Sequence, residues 1–434
     1  MPEYLAPGVY VEEVSFRSKS IEGVPTSTTG FAGLTRFGPV QVDGGPGTTE
    51  PRLVTSFTEF ERIYGGLEPL QLDGDPNPRV NYLAHAARAF FLNGGKRLYV
   101  SRVFSSISDA NLGRAELLLA EGLAWRARWP GAYGKVWVDT RVMRSKNIAV
   151  QKDGVWQVTR ARKGAVVEIY SAAPSPAPKD NAPPSTTATL AEVDIDPDTG
   201  LQTFWRSDGT QVALAAATPW VIFLLEAQVE VIVDQDRRDA YAELGASPAQ
   251  TRYVGRILER DNPQDENAVV YLDTTNAPVG PGAAVRVLVA LTDPSAGKRL
   301  SAGNDGAMPP ANSARDSFGG AEADPDDADL KATGLAALGE IDDIAIVAIP
   351  DAGDLGNVDS SFTVHQELIA HCQSLKYRIA VIDGPRQATS LNAVRAYRGR
   401  FDSKYAAIYH PWIEVLDPLQ RPAQGAPPAR LLLP

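Results

Sequence analysis

Three apolar runs in the last quarter of the chain predict a buried parallel sheet. They occupy residues 344–349, 378–382 and 406–409, and helical patterns of apolar residues separate them. Continuous apolar runs without alternation are typical of strands covered on both faces, as in a parallel sheet under helices. Asp351 and Asp383 come just after the first two runs. They would lie at the carboxyl edge, where open α/β sheets bind ligands.

Helical patterns also occur in the first quarter of the chain. Residues 56–59 (SFTE) form a capping box, and Gly65 marks the end of the helix that follows. A second helix is predicted with Asn77 as its cap and an apolar stripe that reaches Phe91, before a strand at residues 98–100. These patterns predict helices that pack on a sheet.

The middle of the chain has the pattern of short antiparallel strands. Asp153-Gly154 separates the apolar segments 148–152 and 155–158, which is a strong hairpin signal. Further strands are predicted at residues 166–170, 201–205, 220–225, 229–233, 269–272 and 285–291. Together the patterns predict an α/β (α+β) core with a mixed sheet flanked by helices. This core carries a β-rich antiparallel insertion domain in a multi-domain chain.

Composition and charge narrow the class of protein. Of 434 residues, 44% are hydrophobic and 22% charged, as in ordinary globular proteins. The net charge of −11 argues against nucleic acid as the main partner. A secretory signal pattern is absent from the first residues, and the longest strongly apolar run, residues 220–225, is too short to cross a bilayer. We therefore expect no direct membrane insertion.

The paired aspartates are the strongest candidate for chemistry. Asp351 and Asp383, with Asp354 and Asp359 nearby, could hold Mg²⁺ or act as paired acid–base carboxylates. Aspartate is also common after strands, because its carboxylate accepts backbone N–H bonds at turns and helix starts. This structural interpretation is favoured, since no third signal, such as a phosphate loop or a nucleophile, accompanies these carboxylates.

The histidines and the cysteine add no second candidate. Cys372, the lone cysteine, excludes an internal disulfide and a cysteine-based zinc site, and its helical spacing predicts a small buried apolar side chain. The histidines lack a zinc-binding spacing and are interpreted as solvated or supporting groups; they are His85, His365, His371 and His410. We predict no catalytic, metal or cofactor-binding residue.

Seven segments carry motifs that are more specific as a set than singly. They are residues 4–13 (YLAPGVYVEE), 21–31 (IEGVPTSTTGF), 90–100 (FFLNGGKRLYV), 130–134 (PGAYG), 342–351 (DDIAIVAIPD), 378–385 (RIAVIDGP) and 401–413 (FDSKYAAIYHPWI). In order and character, the set resembles the contractile tail sheath family of phage tails, contractile bacteriocins and extracellular injection systems. The segments flank the predicted insertion, whereas residues 136–285 carry no motif of that family.

The resemblance implies a structural subunit and not an enzyme. Six copies would form a ring around an inner tube protein, and stacked rings would contract to drive the tube through a target envelope. Baseplate and tail terminator proteins would be further partners, with no nucleic acid partner and no cofactor. Assembly would take place in the bacterial cytoplasm, as part of a phage tail or another contractile particle.

The resemblance also implies how subunits join and how the chain divides. A terminal arm would add a strand to a neighbour's sheet; its strand residues are Val9, Tyr10, Val11, Glu12, Glu13 and Val14. The implied segments are the arm (1–20), the first part of the core (21–130), the β-rich insertion (131–300) and the second part of the core (301–434). The chain departs from the family after Pro418, where we expect the carboxyl-terminal arm to be missing.

Two alternatives stay open. An α/β enzyme would bind a phosphorylated or metal-bound ligand near Asp351 and Asp383. A β-rich adhesin would instead use the insertion to bind a surface partner, with the core as its support.

Overall fold

The computed structural model describes residues 27–105, 112–235, 237–420 and 429–434. Its strands are β1 Thr29–Gly33, β2 Arg52–Val54, β3 Leu98–Arg102, β4 Glu116–Leu118, β5 Ala124–Ala127, β6 Trp137–Asn147, β7 Ala149–Lys152, β8 Val155–Val158, β9 Val166–Tyr170, β10 Thr189–Ile195, β11 Gln202–Trp205, β12 Val221–Ile232, β13 Arg238–Leu244, β14 Val270–Asp273, β15 Ile346–Ala348, β16 Ile379–Asp383, β17 Ala406–Tyr409, β18 Ile413–Leu416 and β19 Arg430–Leu433. Its α-helices are α1 Phe57–Tyr64, α2 Tyr82–Leu92, α3 Val254–Ile257, α4 Ala283–Leu291, α5 Ala314–Gly319, α6 Gly334–Gly339, α7 Val358–Leu375 and α8 Leu391–Arg398.

A six-stranded sheet forms the core, in the order β17-β16-β15-β1-β3-β2. β1 runs parallel to β15 and β3, and β16 runs parallel to β15 and β17. β2 is antiparallel to β3, so the sheet is mixed. The three apolar runs at residues 344–349, 378–382 and 406–409 therefore lie side by side as parallel strands. The predicted fold class is confirmed.

Helices cover both faces of this sheet. Neighbouring residues of β15 point into different cores, Val347 into one and Ala348 into the other. On the first face, α7 packs Leu368 and Cys372 against the sheet, with α5 and α6 beside it. On the second face, α1 and α2 supply the core, for example through Leu83. This double cover explains why the strands are continuously apolar.

The insertion is an antiparallel sheet built around one long strand. β12 pairs with β6 along one side and with β9 and β13 along the other, while β10 and β11 extend the sheet beyond β9. The predicted strands at residues 220–225 and 229–233 are thus a single strand. The hairpin of β7 and β8 is confirmed, with positive φ values of 49° at Asp153 and 78° at Gly154, as its two-residue turn requires.

The predicted strand at residues 285–291 is wrong, because this segment is helix α4. A short apolar run does not distinguish a buried helix from a strand. Within α4, Val287 and Leu288 are buried whereas Val289 is 42% exposed, which is a helical pattern. Gly282 precedes the helix with φ of 78°, and a Cβ there would lie 1.8 Å from the Arg206 carbonyl oxygen, so glycine fits this position.

The first two helices differ in how well their starts were predicted. Ser56 caps α1 as expected, since its hydroxyl accepts from the Glu59 N–H at 3.2 Å. The cap predicted at Asn77 is wrong. α2 begins four residues later, where Asn81 accepts from the Ala84 N–H at 3.3 Å. Both asparagines have suitable chemistry, and burial of Asn81 against the Gly66 carbonyl favours the later one.

Candidate functional site

The carboxyl edge of the core sheet holds Asp351 in a fully buried position. Its Oδ2 atom accepts a hydrogen bond from the Leu34 N–H at 2.9 Å, and its Oδ1 atom has no hydrogen-bond partner among the described residues. Burial raises the pKa of Asp351 to about 6, against the opposing attraction of Arg79. Gly33 is required beside it, because a Cβ there would lie 2.4 Å from Oδ2. Asp351 therefore joins the ends of β1 and β15, which agrees with the structural interpretation.

Asp354, and not Asp383, completes a polar cluster next to this carboxylate. Its Oδ2 atom accepts from the Tyr82 hydroxyl at 2.8 Å and from the Arg386 guanidinium at 2.9 Å. Its backbone carbonyl accepts from Arg79. Burial, followed by the bond to Asp354, raises the pKa of Tyr82 well above its usual value. The residues come from three distant segments, so no spacing along the sequence could have revealed the cluster.

Asp383 lies at the end of β16, and both its side chain and the Trp412 ring lie close to Gly353. Burial raises its pKa to about 7. A Cβ on Gly353 would lie 3.5 Å from the Asp383 Cβ and 2.7 Å from the Trp412 ring, so these groups fill the space at this end of the strand. The Trp412 indole N–H donates to the Gly384 carbonyl, which fixes the ring. The raised pKa values of Asp351 and Asp383 are the acid–base feature that this edge offers, and no hydrogen bond joins the two carboxyl groups in the described chain.

The described residues provide neither a metal site nor a cysteine nucleophile. No group of three or more His, Cys, Asp or Glu residues in them could hold a metal ion. Cys372 is buried as predicted, and burial raises its pKa to about 12, so the thiol stays protonated.

Two of the four histidines are more buried than a solvated role would require. His85 and His365 are buried, so of the two predicted roles the solvated one is wrong for both and the supporting one remains. The His365 Nδ1 lies 2.7 Å from the Tyr397 hydroxyl, and burial lowers the pKa of His365 to about 3. His371 contacts the Arg378 guanidinium through Nε2 at 3.0 Å, and burial followed by that positive charge lowers its pKa to about 4. His365 and His371 are therefore neutral packing groups at ordinary pH.

A second candidate site is the two-stranded ribbon formed by β18 and β19. Its antiparallel register pairs Ile413 with Leu433 and Val415 with Leu431, which places four aliphatic side chains on one face. None of these residues belongs to a hydrophobic core cluster of the described chain; Ile413 is 56% exposed, whereas Val415, Leu431 and Leu433 are partly buried. A two-stranded ribbon is marginally stable alone in water. This face lies outside the core clusters of the described residues, which makes it a candidate contact surface.

The other face of the ribbon is mixed. Glu414 and Arg430 form an exposed ion pair at 2.8 Å, beside Leu416 and Leu432. Sequence reasoning missed the ribbon, although Ile413 and Val415 alternate with the polar Glu414, which is a strand signal; residues 431–433 are all leucine and show no alternation. Their pairing across more than a dozen residues was not predictable from spacing.

Strand edges without a partner are the third feature of interest. Within residues 27–105, 112–235, 237–420 and 429–434, no strand pairs with the outer edge of β17 or with either outer edge of the ribbon. Tyr409, at the end of β17, is 62% exposed. The predicted strand-exchange residues Val9, Tyr10, Val11, Glu12, Glu13 and Val14 lie outside the described residues. The structure therefore shows edges that could accept a strand, and their occupant stays a prediction.

Comparison with known proteins gives no family assignment. No protein-family model matches the chain, and no curated protein matches it. In the described residues, no helix is both long and apolar enough to span a membrane.

Proposed function

We propose that this chain is the sheath subunit of a contractile particle. It forms hexameric rings around an inner tube protein, and the rings stack into a sheath that contracts to drive the tube through a target envelope. Baseplate and tail terminator proteins bind the two ends of the sheath. The particle assembles in the bacterial cytoplasm, as part of a phage tail or of an injection system.

The observation that carries the proposal is the ribbon of β18 and β19, with unpaired edges and an aliphatic face outside every described core. It follows β17, the edge strand of the core sheet, after an anchor at Trp412. Main-chain hydrogen bonds from a neighbour's arm at such an edge would join subunits without fixing their relative orientation, because the chain beyond the added strand absorbs rotation. The sheath-like motifs on both sides of the insertion support the same function.

The proposal is tested by producing the chain together with its tube and baseplate partners. Negative-stain microscopy should show rings and striated tubes. Deletion of residues 1–18 should leave a folded monomer that does not polymerise, because the donor strand is lost. Unchanged polymerisation of the deleted chain would exclude the arm assignment.

The second candidate is an α/β enzyme, and the raised pKa values of Asp351 and Asp383 at the carboxyl edge favour it. A thermal-shift screen with nucleotides and Mg²⁺ separates the two functions. A ligand that binds the native state raises the melting temperature. A large shift that Asp383→Ala abolishes would favour the enzyme, whereas no shift with any of these ligands is expected for a sheath subunit.

A further inference from the structure

Helix α8 presents a basic surface in an acidic protein. Residues 385–405 contain five basic residues and one acidic residue, although the chain has a net charge of −11. Arg386 and Arg400 of this segment pair with aspartates, whereas Arg395 and Arg398 are exposed and have no ion-pair partner in the described part of the chain. Leu391, at the start of the same helix, is 63% exposed. The outer face of α8 is therefore both basic and partly apolar.

The packing of α8 explains why this face is open. Tyr397 is its one buried residue, and its hydroxyl contacts His365 of α7. The Tyr397 ring also meets Phe362 of α7 edge-on, at 6.5 Å between centroids. The helix is thus attached to the helical layer along one narrow line beside β16 and β17. Every other residue of α8 is exposed or partly exposed.

A loop of opposite charge joins α5 to α6. Residues 321–330 contain five acidic residues and no basic residue, and all of them are exposed. The acidic side chains form no ion pair with another described residue; they are Glu322, Asp324, Asp326, Asp327 and Asp329. Leu330, at the end of the loop, is 47% exposed, as Leu391 is on α8.

The acidic loop has a fixed base. Ala321 and Thr333 exchange hydrogen bonds at its neck, two of them at 2.9 Å. Gly320 adopts φ of 79° there, and a Cβ would lie 2.0 Å from the Thr333 carbonyl oxygen. The Gln41 amide also donates to the Asp329 carbonyl at 3.1 Å. Hydrogen bonds therefore fix the base of the loop, and its acidic residues are exposed to solvent.

The two surfaces lie at opposite ends of the same helical layer. α8 sits beside the β17 end of the core sheet, with α7 next to it. The acidic loop lies beyond α5 and α6, and Lys331 pairs with Glu50, two residues before β2 at the other end of the sheet. No ion pair joins the two surfaces within the described chain, whereas two copies in the same orientation can bring them together.

We propose that the basic face of α8 binds the acidic loop at residues 321–330 of a second copy of this chain, head to tail. The contact deepens the proposed sheath function, on which it rests, by naming the surfaces that join neighbours. A head-to-tail contact uses two different surfaces, so it generates a ring or a helix. Complementary charge sets the register of the contact, and the exposed Leu391 and Leu330 give it an apolar centre.

A pair of charge-reversed chains tests this contact. The first chain carries Arg395→Glu and Arg398→Glu, which makes both surfaces acidic. The second carries Asp326→Lys and Asp329→Lys, whose side chains accept no hydrogen bond in the structure, and has two basic surfaces. Sedimentation velocity should show that each chain alone self-associates at least about tenfold more weakly than the unchanged chain, since like charges then face each other. An equimolar mixture should regain association, because each acidic surface again meets a basic one.

The salt dependence of association, together with sedimentation and sheath formation by the variants, tests the contact and the sheath function separately. Self-association of the unchanged chain should weaken between about 0.1 M and about 1 M salt, as the screening length falls from about 10 Å to about 3 Å. Failure of the mixture to regain association, or normal association of either variant alone, would overturn the contact. If striated sheaths form with both variants, the contact is wrong and the sheath function stands. If the mixture regains association but the unchanged chain never forms sheaths with its partners, the contact stands and the sheath function is wrong.

Discussion

The Asp351 carboxylate accepts a hydrogen bond from the backbone N–H of Leu34 across 317 positions of sequence. This bond joins the ends of two adjacent parallel strands, β1 and β15, at the edge where an α/β enzyme would place its ligand. The second oxygen of the carboxylate has no hydrogen-bond partner in the described part of the chain, and the side chain is fully buried. Asp351 stands where an enzyme of this fold would place a catalytic group, yet its observed contact is structural: it links two strand ends.

Asp351→Asn should remove a pH dependence of stability. Burial raises the pKa of Asp351 to about 6 in the folded protein. The stability that the protonated group gives is complete below its unfolded pKa and is lost as pH rises through the folded pKa. Between about pH 5 and about pH 7.5, ionisation of Asp351 should therefore lower the free energy of unfolding of the wild-type protein by on the order of 1 kcal/mol. The asparagine variant should not show this decrease.

Urea denaturation of both proteins at the two pH values measures this difference. Asp402→Asn is the matched control, because Asp402 is exposed and forms no contact of this kind. Equal pH dependence in wild type and Asp351→Asn would mean that the buried carboxyl does not titrate in this range.

Gly33→Ala should destabilise the core by crowding the same carboxylate. The added Cβ would lie 2.4 Å from Asp351 Oδ2 and 2.8 Å from Leu83 Cδ1. Overpacking of this kind costs about 1–3 kcal/mol. Gly47→Ala is the control, since a Cβ there meets nothing within 4 Å. Thermal unfolding should separate the two variants clearly, and a Gly33→Ala protein as stable as wild type would show that the strand end can move apart.

Asp354→Ala should cost more than the loss of a surface ion pair. It leaves the buried Tyr82 hydroxyl without its acceptor and frees Arg386. An unsatisfied buried polar group costs about 1–3 kcal/mol, whereas an exposed pair contributes about 0–1 kcal/mol. Urea denaturation should therefore show a larger loss than for Arg430→Ala, which breaks the exposed pair with Glu414. Similar losses in the two variants would contradict the account of the cluster.

Four of the six core strands, β3, β15, β16 and β17, could be predicted from sequence, because a strand buried on both faces leaves a continuous apolar run. β1 and β2 were not predicted; β1 has two glycines and a threonine among its five buried residues. The same rule failed at residues 285–291, since a buried helix leaves a similar run over so short a length. The position of Asp351 at a strand end was predictable, but its bond to Leu34 was not, because it depends on which strands become neighbours. The cluster of Asp354, Tyr82 and Arg386 is equally a product of the tertiary fold.

The ribbon should be needed for assembly and not for folding. Val415→Asp puts a charge on the aliphatic face of β18, which contributes to none of the core clusters in the described residues. The variant chain should therefore melt within a few degrees of wild type, about the shift expected from a surface substitution of up to about 0.5 kcal/mol. Val150→Asp is the control, because Val150 lies in another two-stranded hairpin, β7–β8, and is 45% exposed.

Negative-stain microscopy of these chains, each produced with its tube and baseplate partners, tests the central claim most directly. We expect striated sheaths from wild type and from Val150→Asp, and folded chains without sheaths from Val415→Asp. Absence of rings and sheaths from the wild-type chain, or sheaths from Val415→Asp equal to those of wild type, would contradict the account.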